Sequence, residues 1–90
     1  MRMTIDDLVT VAAVELGKVE ADPDMLVATQ RLLLRGLRTA FDRYGCVVLV
    51  KKPSGQFLVP SVISPDRVQG EIAAREKRGE TIIGYAIKED

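Results

Sequence analysis

Apolar residues recur every three or four positions near the start of the chain, which is the spacing of a helix with one buried side. The series consists of Ile5, Leu8, Val9, Ala12, Leu16 and Val19. Thr4 precedes it and can cap the free N–H groups of a first helical turn, where two acidic residues also suit the helix dipole. The pattern predicts a helix over residues 4–19, with Val11 and Val14 on the side opposite to the main apolar series.

A second and longer apolar series begins after the sequence Asp22-Pro23-Asp24. Asp22 can cap a helix, and Pro23 suits the first helical position because no N–H is required there. Gly45 ends the series, since glycine readily adopts the left-handed conformation that terminates helices. We therefore predict a helix over residues 23–44. Its apolar surface covers more than half of the circumference, which is typical of a central helix contacted by several neighbours.

Three further apolar runs predict strands. Residues 46–51 are apolar on both faces, as expected for a central strand, and residues 56–63 return after a turn that contains proline and glycine. Pro60 lacks an N–H, which indicates that this second strand lies at an edge or contains a bulge. Residues 81–88 form the third predicted strand, with isoleucine and tyrosine alternating toward one face.

A short helix over residues 65–78 joins the second and third predicted strands, because Ser64-Pro65 again combines a capping residue with proline. A right-handed crossover then favours the strand order 2-1-3, in which every neighbouring pair is antiparallel. We expect one α+β domain over residues 1–90, with two N-terminal helices followed by a ββαβ unit and a three-stranded antiparallel sheet. Either the three helices cover both faces of this sheet, or one apolar face is left to bind another molecule.

Composition limits the chemistry available to the chain, which contains no histidine and one cysteine. A zinc site built from Cys and His is therefore excluded, and so is a histidine general base. Cys46 follows the C-terminal end of the long helix, whose partial negative charge disfavours a thiolate, so we interpret it as a buried structural cysteine. Neither phosphate-binding motif, GxxxxGK[ST] or GxGxxG, is present.

From this chemistry we expect no catalytic residues, no metal and no cofactor. The acidic pairs Asp6-Asp7 and Asp22/Asp24 are explained as helix-start residues rather than as a carboxylate metal site. An enzyme that uses carboxylates, lysine or tyrosine remains as an alternative. A single cysteine and the absence of a long apolar run predict a cytoplasmic protein without a signal peptide or a membrane span.

Charge is unevenly distributed although the net charge is zero. Residues 1–30 carry six acidic and two basic side chains, whereas residues 31–52 carry six basic side chains and one acidic. The basic residues proposed to contact a partner are Arg31, Arg35, Arg38, Lys51 and Lys52. This set is interpreted as a solvated face, as a surface for an acidic protein, or as a nucleic-acid contact.

The apolar excess favours a function in protein binding. Val11 and Val14 lie opposite the main apolar series of the first helix, whereas Leu32, with Met25 and Gly36, widens the apolar side of the second helix. Val11, Val14 and Leu32 are candidates for a dimer or partner surface, and Gly36 allows a close crossing by another backbone. The first hypothesis is therefore a non-enzymatic interaction module, of the adaptor, inhibitor or regulatory-subunit type, that forms a homodimer and binds a protein partner with an acidic surface. The alternative is a nucleic-acid-binding protein that uses the basic helix and the hairpin tip.

Overall fold

The computed structural model describes residues 1–89 of the chain. Its helices and strands follow in the order β1 (Arg2–Met3), α1 (Ile5–Val19), α2 (Pro23–Tyr44), β2 (Cys46–Lys51), β3 (Phe57–Leu58), α3 (Val68–Lys77) and β4 (Thr81–Ile87). A 3-10 turn (Pro65–Arg67) leads into α3. The predicted α+β class, with two helices that precede the main strands, is confirmed.

The sheet is mixed and has the order β1-β4-β2-β3. The prediction of a three-stranded, wholly antiparallel sheet is wrong, because β1 adds a fourth strand that runs parallel to β4. The three predicted strands keep their predicted order 2-1-3 within it, as β3-β2-β4. The pairs β4–β2 and β2–β3 are antiparallel. The N–H of Tyr85 donates to the carbonyl of Met1 at 3.1 Å, which fixes the start of the chain against β4. A strand of two residues is too short for an alternating pattern to reveal it.

The second predicted strand, over residues 56–63, is wrong beyond Leu58. β3 pairs with β2 only at Val50 and Lys51, and the chain then leaves the sheet before Pro60. Because Pro60 has no N–H to donate, the pairing cannot continue through it. The next residues cross to the other face of the sheet, where Val62 is buried.

Helices cover both faces of the sheet. On one face, α1 and α2 pack on the inward side chains of β2, such as Val47 and Leu49. On the other face, α3 and the segment after β3 enclose Cys46, Val48 and Val50. Of the two arrangements left open by the sequence, the structure therefore adopts the one in which the chain covers its own sheet.

The caps of the two long helices are those expected from the sequence. The Thr4 hydroxyl accepts a hydrogen bond from the Asp7 N–H at 3.1 Å, and the Asp22 carboxylate accepts one from the Asp24 N–H at 2.9 Å. Gly45 ends α2 in the left-handed conformation, with φ of 73°. These local contacts fix the start of α1 and both ends of α2, and therefore the length of helix available to the surface described next.

Candidate interaction groove

One side of α2 is covered neither by α1 nor by the sheet, and it faces the chain around β3 across a groove. We define the α2 groove by the residues on its two walls, namely Leu32, Leu33, Gly36 and Arg43 from α2, and Phe57 and Val59 from the opposite wall. The groove consists of two adjoining cavities, and Leu32, Gly36 and Val59 line both of them.

The first cavity of the groove is apolar. It has a volume of about 430 Å³ and lies where α1, α2 and the hairpin between β2 and β3 approach one another. Leu16, Leu33 and Phe57 contribute to its lining. Leu32 stands at its border with 71% of its surface exposed, although it is a large aliphatic residue. Burial of an exposed leucine side chain by a partner would stabilise the complex.

The second cavity is basic at its rim. It has a volume of about 410 Å³, and Arg35 and Arg43 both line it. The Arg43 guanidinium lies over the Tyr44 ring, 5.4 Å from its centroid, a cation–π arrangement that leaves hydrogen-bond donors available. None of the ion pairs within residues 1–89 involves Arg35 or Arg43. Both cations are therefore available to carboxylates from outside the chain.

Gly36 lines both cavities on the α2 side of the groove. A Cβ atom at this position would meet nothing within 4 Å, so the absence of a side chain is not required by the fold of the monomer. Glycine within a helix lowers stability by about 0.5–1 kcal/mol relative to alanine. Gly36 therefore leaves an open depression in the surface of α2 at an energetic cost to the helix.

The three predicted arginines of α2 do not all face the same surroundings in the structure. Arg31, Arg35 and Arg38 are all exposed on α2. Arg38, however, points toward α1, where its Nη2 donates to the Asp6 Oδ1 at 3.0 Å. Arg35 instead lines the groove on the other side of the helix. The row of arginines is therefore divided between an ion pair between two helices and the rim of the groove.

The two predicted lysines do not line either cavity of the groove. Lys51 and Lys52 are half-buried at the end of β2, and the Lys51 ammonium lies 5.7 Å from the centroid of the Phe57 ring. Phe57 belongs to the apolar cavity, whereas Arg35 belongs to the basic one. The five predicted basic residues are thus not gathered around one cavity.

The three predicted apolar contact residues also differ in their positions. Val11 is half-buried, and Val14 is 54% exposed on α1 but lines neither cavity of the groove. Leu32 alone of the three borders the groove. The structure adds Gly36 and Arg43 on α2, and Phe57 and Val59 on the opposite wall. Helical spacing places Gly36 beside Leu32 from the sequence alone, and the same spacing could have added Arg43, but only the tertiary structure places the opposite wall.

Cys46 is buried in the core, as the sequence predicted. Its thiol donates to the carbonyl of Val62 at 3.5 Å, and burial raises the pKa of the Cys46 thiol. A raised pKa reduces the thiolate fraction, which is the reactive form. The geometry therefore assigns Cys46 to packing.

Residues 1–89 contain no group of three histidine, cysteine, aspartate or glutamate side chains arranged to hold a metal ion. Over the same residues, every buried side-chain nitrogen or oxygen has a hydrogen-bond partner. Each helix in this part of the chain is too short or too polar to cross a membrane.

Comparison with known proteins identifies no relative. No protein family, curated protein or solved structure shows significant similarity to this chain.

Proposed function

We propose that this protein is a small, non-enzymatic interaction module, of the adaptor, inhibitor or regulatory-subunit type, that binds protein through the α2 groove and forms a homodimer. The observation that carries this proposal is the exposure of Leu32 beside an apolar cavity whose continuation is rimmed by Arg35 and Arg43. The buried free thiol of Cys46 supports a cytoplasmic location as part of the same proposal.

The chemistry of the groove is that of a protein-binding surface. Protein interfaces are enriched in arginine, methionine and aromatic side chains, and a few residues supply most of the binding free energy. The groove has Phe57, Arg35 and Arg43 of these types. Here the apolar anchor and the cations lie along one side of one helix. A partner with an apolar side chain next to carboxylates would match both parts of the groove.

Sedimentation equilibrium tests the proposed homodimer. The wild-type protein should have about twice the monomer mass of 9.9 kDa at high micromolar concentration. Leu32→Glu should give a monomer, because it removes the apolar side chain from the covered surface and replaces it with a strongly hydrated one. Val27→Glu is the matched control, since Val27 is 49% exposed on the same helix but lines neither cavity, and this variant should remain dimeric.

A wild-type monomer at high micromolar concentration would contradict the homodimer. The binding of other proteins is then decided by affinity capture from the native host, with Leu32→Glu and Val27→Glu in parallel. A protein retained by the wild type and Val27→Glu but lost with Leu32→Glu supports the interaction module. Identical captures by all three proteins would exclude the α2 groove as the binding surface.

Nucleic-acid binding remains a second candidate function, favoured by the exposure of Arg31 and Arg35 on one helix. It requires binding of DNA or RNA that weakens steeply as salt is added, because phosphate contacts release counterions. Simultaneous replacement of Arg31, Arg35 and Arg38 by alanine should abolish it. Absence of binding to single- and double-stranded DNA and RNA at low salt would exclude this function.

A further inference from the structure

We propose that α2 of a second copy occupies the α2 groove, antiparallel to the first, with Leu32 of each copy packed over Gly36 of the other. This inference rests on the proposed homodimer and adds its geometry. It identifies Leu32 as the inserted side chain, Gly36 as its receiving site and Arg43 as the residue that selects the antiparallel direction.

The complementary parts lie one helical turn apart on the same side of α2. Leu32 projects into solvent, whereas Gly36, four residues later, leaves a depression where its Cβ would meet nothing within 4 Å. Both residues line both cavities of the groove. A two-fold axis between them places each leucine over the glycine of the other copy, as an isologous interface requires.

The same symmetry makes the rest of the helix side self-complementary. With the axis midway between residues 32 and 36, Thr29 faces Thr39 of the second copy, and Met25 faces Arg43 of the second copy. Thr29 and Thr39 line the groove as Leu32 does, and both side chains are short. Short side chains next to a glycine allow two helix axes to approach closely, with the larger Leu32 inserted between them.

Charge favours the antiparallel direction. α2 begins with the exposed acidic residues Asp22 and Asp24, and Arg43 lies in its last turn. An antiparallel partner therefore brings Arg43 of one copy to the acidic start of α2 in the other. The two helix dipoles also oppose one another in this arrangement. A parallel arrangement would instead place like charges together at both ends.

Arg35 distinguishes a second copy of this chain from a foreign acidic segment as the occupant of the groove. It follows Leu32 by three residues and lines the groove, so the two copies of Arg35 approach one another near the two-fold axis. Their repulsion weakens the dimer. Removal of the Arg35 charge should therefore tighten a homodimer, whereas it would weaken the binding of a foreign acidic segment.

The first test compares two helical glycines by sedimentation velocity. Gly36→Leu should produce a monomer that still folds, because its Cβ has open space in the monomer and leucine is the better helix former. Gly17→Leu is the matched control, since Gly17 lies in α1 and also has nothing near its Cβ. This variant should remain dimeric. Circular dichroism of both variants establishes that folding is retained.

The second test uses charge reversal within one chain. Arg43→Glu should raise the dimer dissociation constant by about tenfold or more, because two attractive contacts per dimer become repulsive. Addition of Asp24→Arg to the same chain should restore most of the affinity. Arg35→Gln should lower the dissociation constant relative to the wild type.

Each result either supports or overturns the proposed geometry. A folded Gly36→Leu protein that remains a dimer overturns it, although the proposed homodimer then stands with a different interface. Failure of Asp24→Arg to improve dimerisation of Arg43→Glu overturns the antiparallel contact. A wild-type monomer overturns both this inference and the proposed homodimer. If Gly36→Leu does not fold, the dimer dissociation constants of the Arg43 and Arg35 variants test the proposed geometry instead.

Discussion

Leu32 and Leu37 belong to the same helix, five residues apart, yet one is 71% exposed and the other is fully buried. Leu37 packs with Leu8 and Val47 between α1, α2 and the sheet. Leu32 is turned away from that core toward the groove. At the residue scale, side-chain type therefore does not decide burial in this protein. The position around the helix decides it, and this distinction is the basis for regarding Leu32 as a contact residue.

Cys46 leads to a prediction for the pH dependence of stability. Burial raises the pKa of its thiol above the ordinary value of 9.0, so the unfolded protein loses this proton at lower pH than the folded protein. The free energy of unfolding should therefore fall as pH rises above about 9, because ionisation stabilises the unfolded state. Urea denaturation of the wild type and of Cys46→Ser across this range provides the measurement.

Cys46→Ser is a suitable reference because its hydroxyl can still donate to the carbonyl of Val62 but does not ionise in this range. Titration of lysine and tyrosine affects both proteins equally. The decline in stability should be steeper for the wild type than for Cys46→Ser. Parallel pH profiles for the two proteins would show that burial of the thiol has no energetic consequence.

At the element scale, one charged cluster joins the end of α3 to the start of β4. Arg75 donates to Glu71 at 2.9 Å and to Glu80 at 3.1 Å. The bond to Glu71 is the main reason that the pKa of Arg75 is raised. Glu80 is only 9% exposed, and its carboxylate depends on Arg75 for compensation. The contact defines where α3 ends and how the chain enters the sheet.

Replacement of Arg75 by methionine should therefore destabilise the protein by about 2 kcal/mol, since it leaves the Glu80 carboxylate buried without its charged partner. Arg78→Met is the control, because Arg78 is exposed near the same helix end and forms no ion pair within residues 1–89. It should change stability by less than about 0.5 kcal/mol. Equal effects in chemical denaturation would show that the Arg75 cluster is not a structural contact.

At the scale of the whole molecule, β1 connects the two ends of the chain. Met3 packs into the core beside Leu8, directly over Gly84 in β4. A Cβ added at Gly84 would lie 2.9 Å from the Met3 Cε and 3.1 Å from the Leu8 Cδ1. The glycine thus permits the close approach of the N-terminal strand and α1 to the centre of the sheet.

A double-mutant cycle tests this packing. Gly84→Ala should lower the free energy of unfolding by about 1 kcal/mol, because the new methyl group crowds the buried Leu8 side chain, whereas the flexible end of Met3 can move aside in part. In a Met3→Ala background the same change should be less destabilising, since two of the crowding atoms are gone. Gly70→Ala in α3, where a Cβ meets nothing within 4 Å, is the control and should raise the free energy of unfolding by about 0.5–1 kcal/mol, because alanine is the better helix former. Additive effects of the Met3 and Gly84 changes would contradict the direct contact.

The proposed homodimer is also a property of the whole molecule. Because α1, α2 and α3 already cover both faces of the sheet, the apolar excess seen in the sequence does not leave a bare sheet face. The exposed large apolar side chains are instead scattered over the surface, and Leu32, at 71%, is the most exposed of those on the helices. The proposed partner surface is therefore a helix side, and its affinity depends on the few residues at its centre.

The sequence by itself determined the features that depend on neighbours within one or two helical turns. Thr4, Asp22 and Gly45 mark helix ends because their hydrogen bonds and backbone conformations are local. The apolar run at 46–50 likewise indicated a strand with both faces buried, and it is buried throughout. The interpretation of Cys46 as a core residue followed from its place in that run.

Only the tertiary structure decided the features that join distant parts of the chain. β1 forms because Arg2–Met3 pairs with β4, more than eighty residues later in the chain. Its two residues are too few to show a periodic pattern in the sequence. Pro60 indicated an edge strand or a bulge from the sequence alone, but the direction in which the chain leaves the sheet depends on the packing of Val62 in the core on the other face. The groove has the same origin, because its two walls, α2 and the chain around β3, are brought together by packing rather than by sequence.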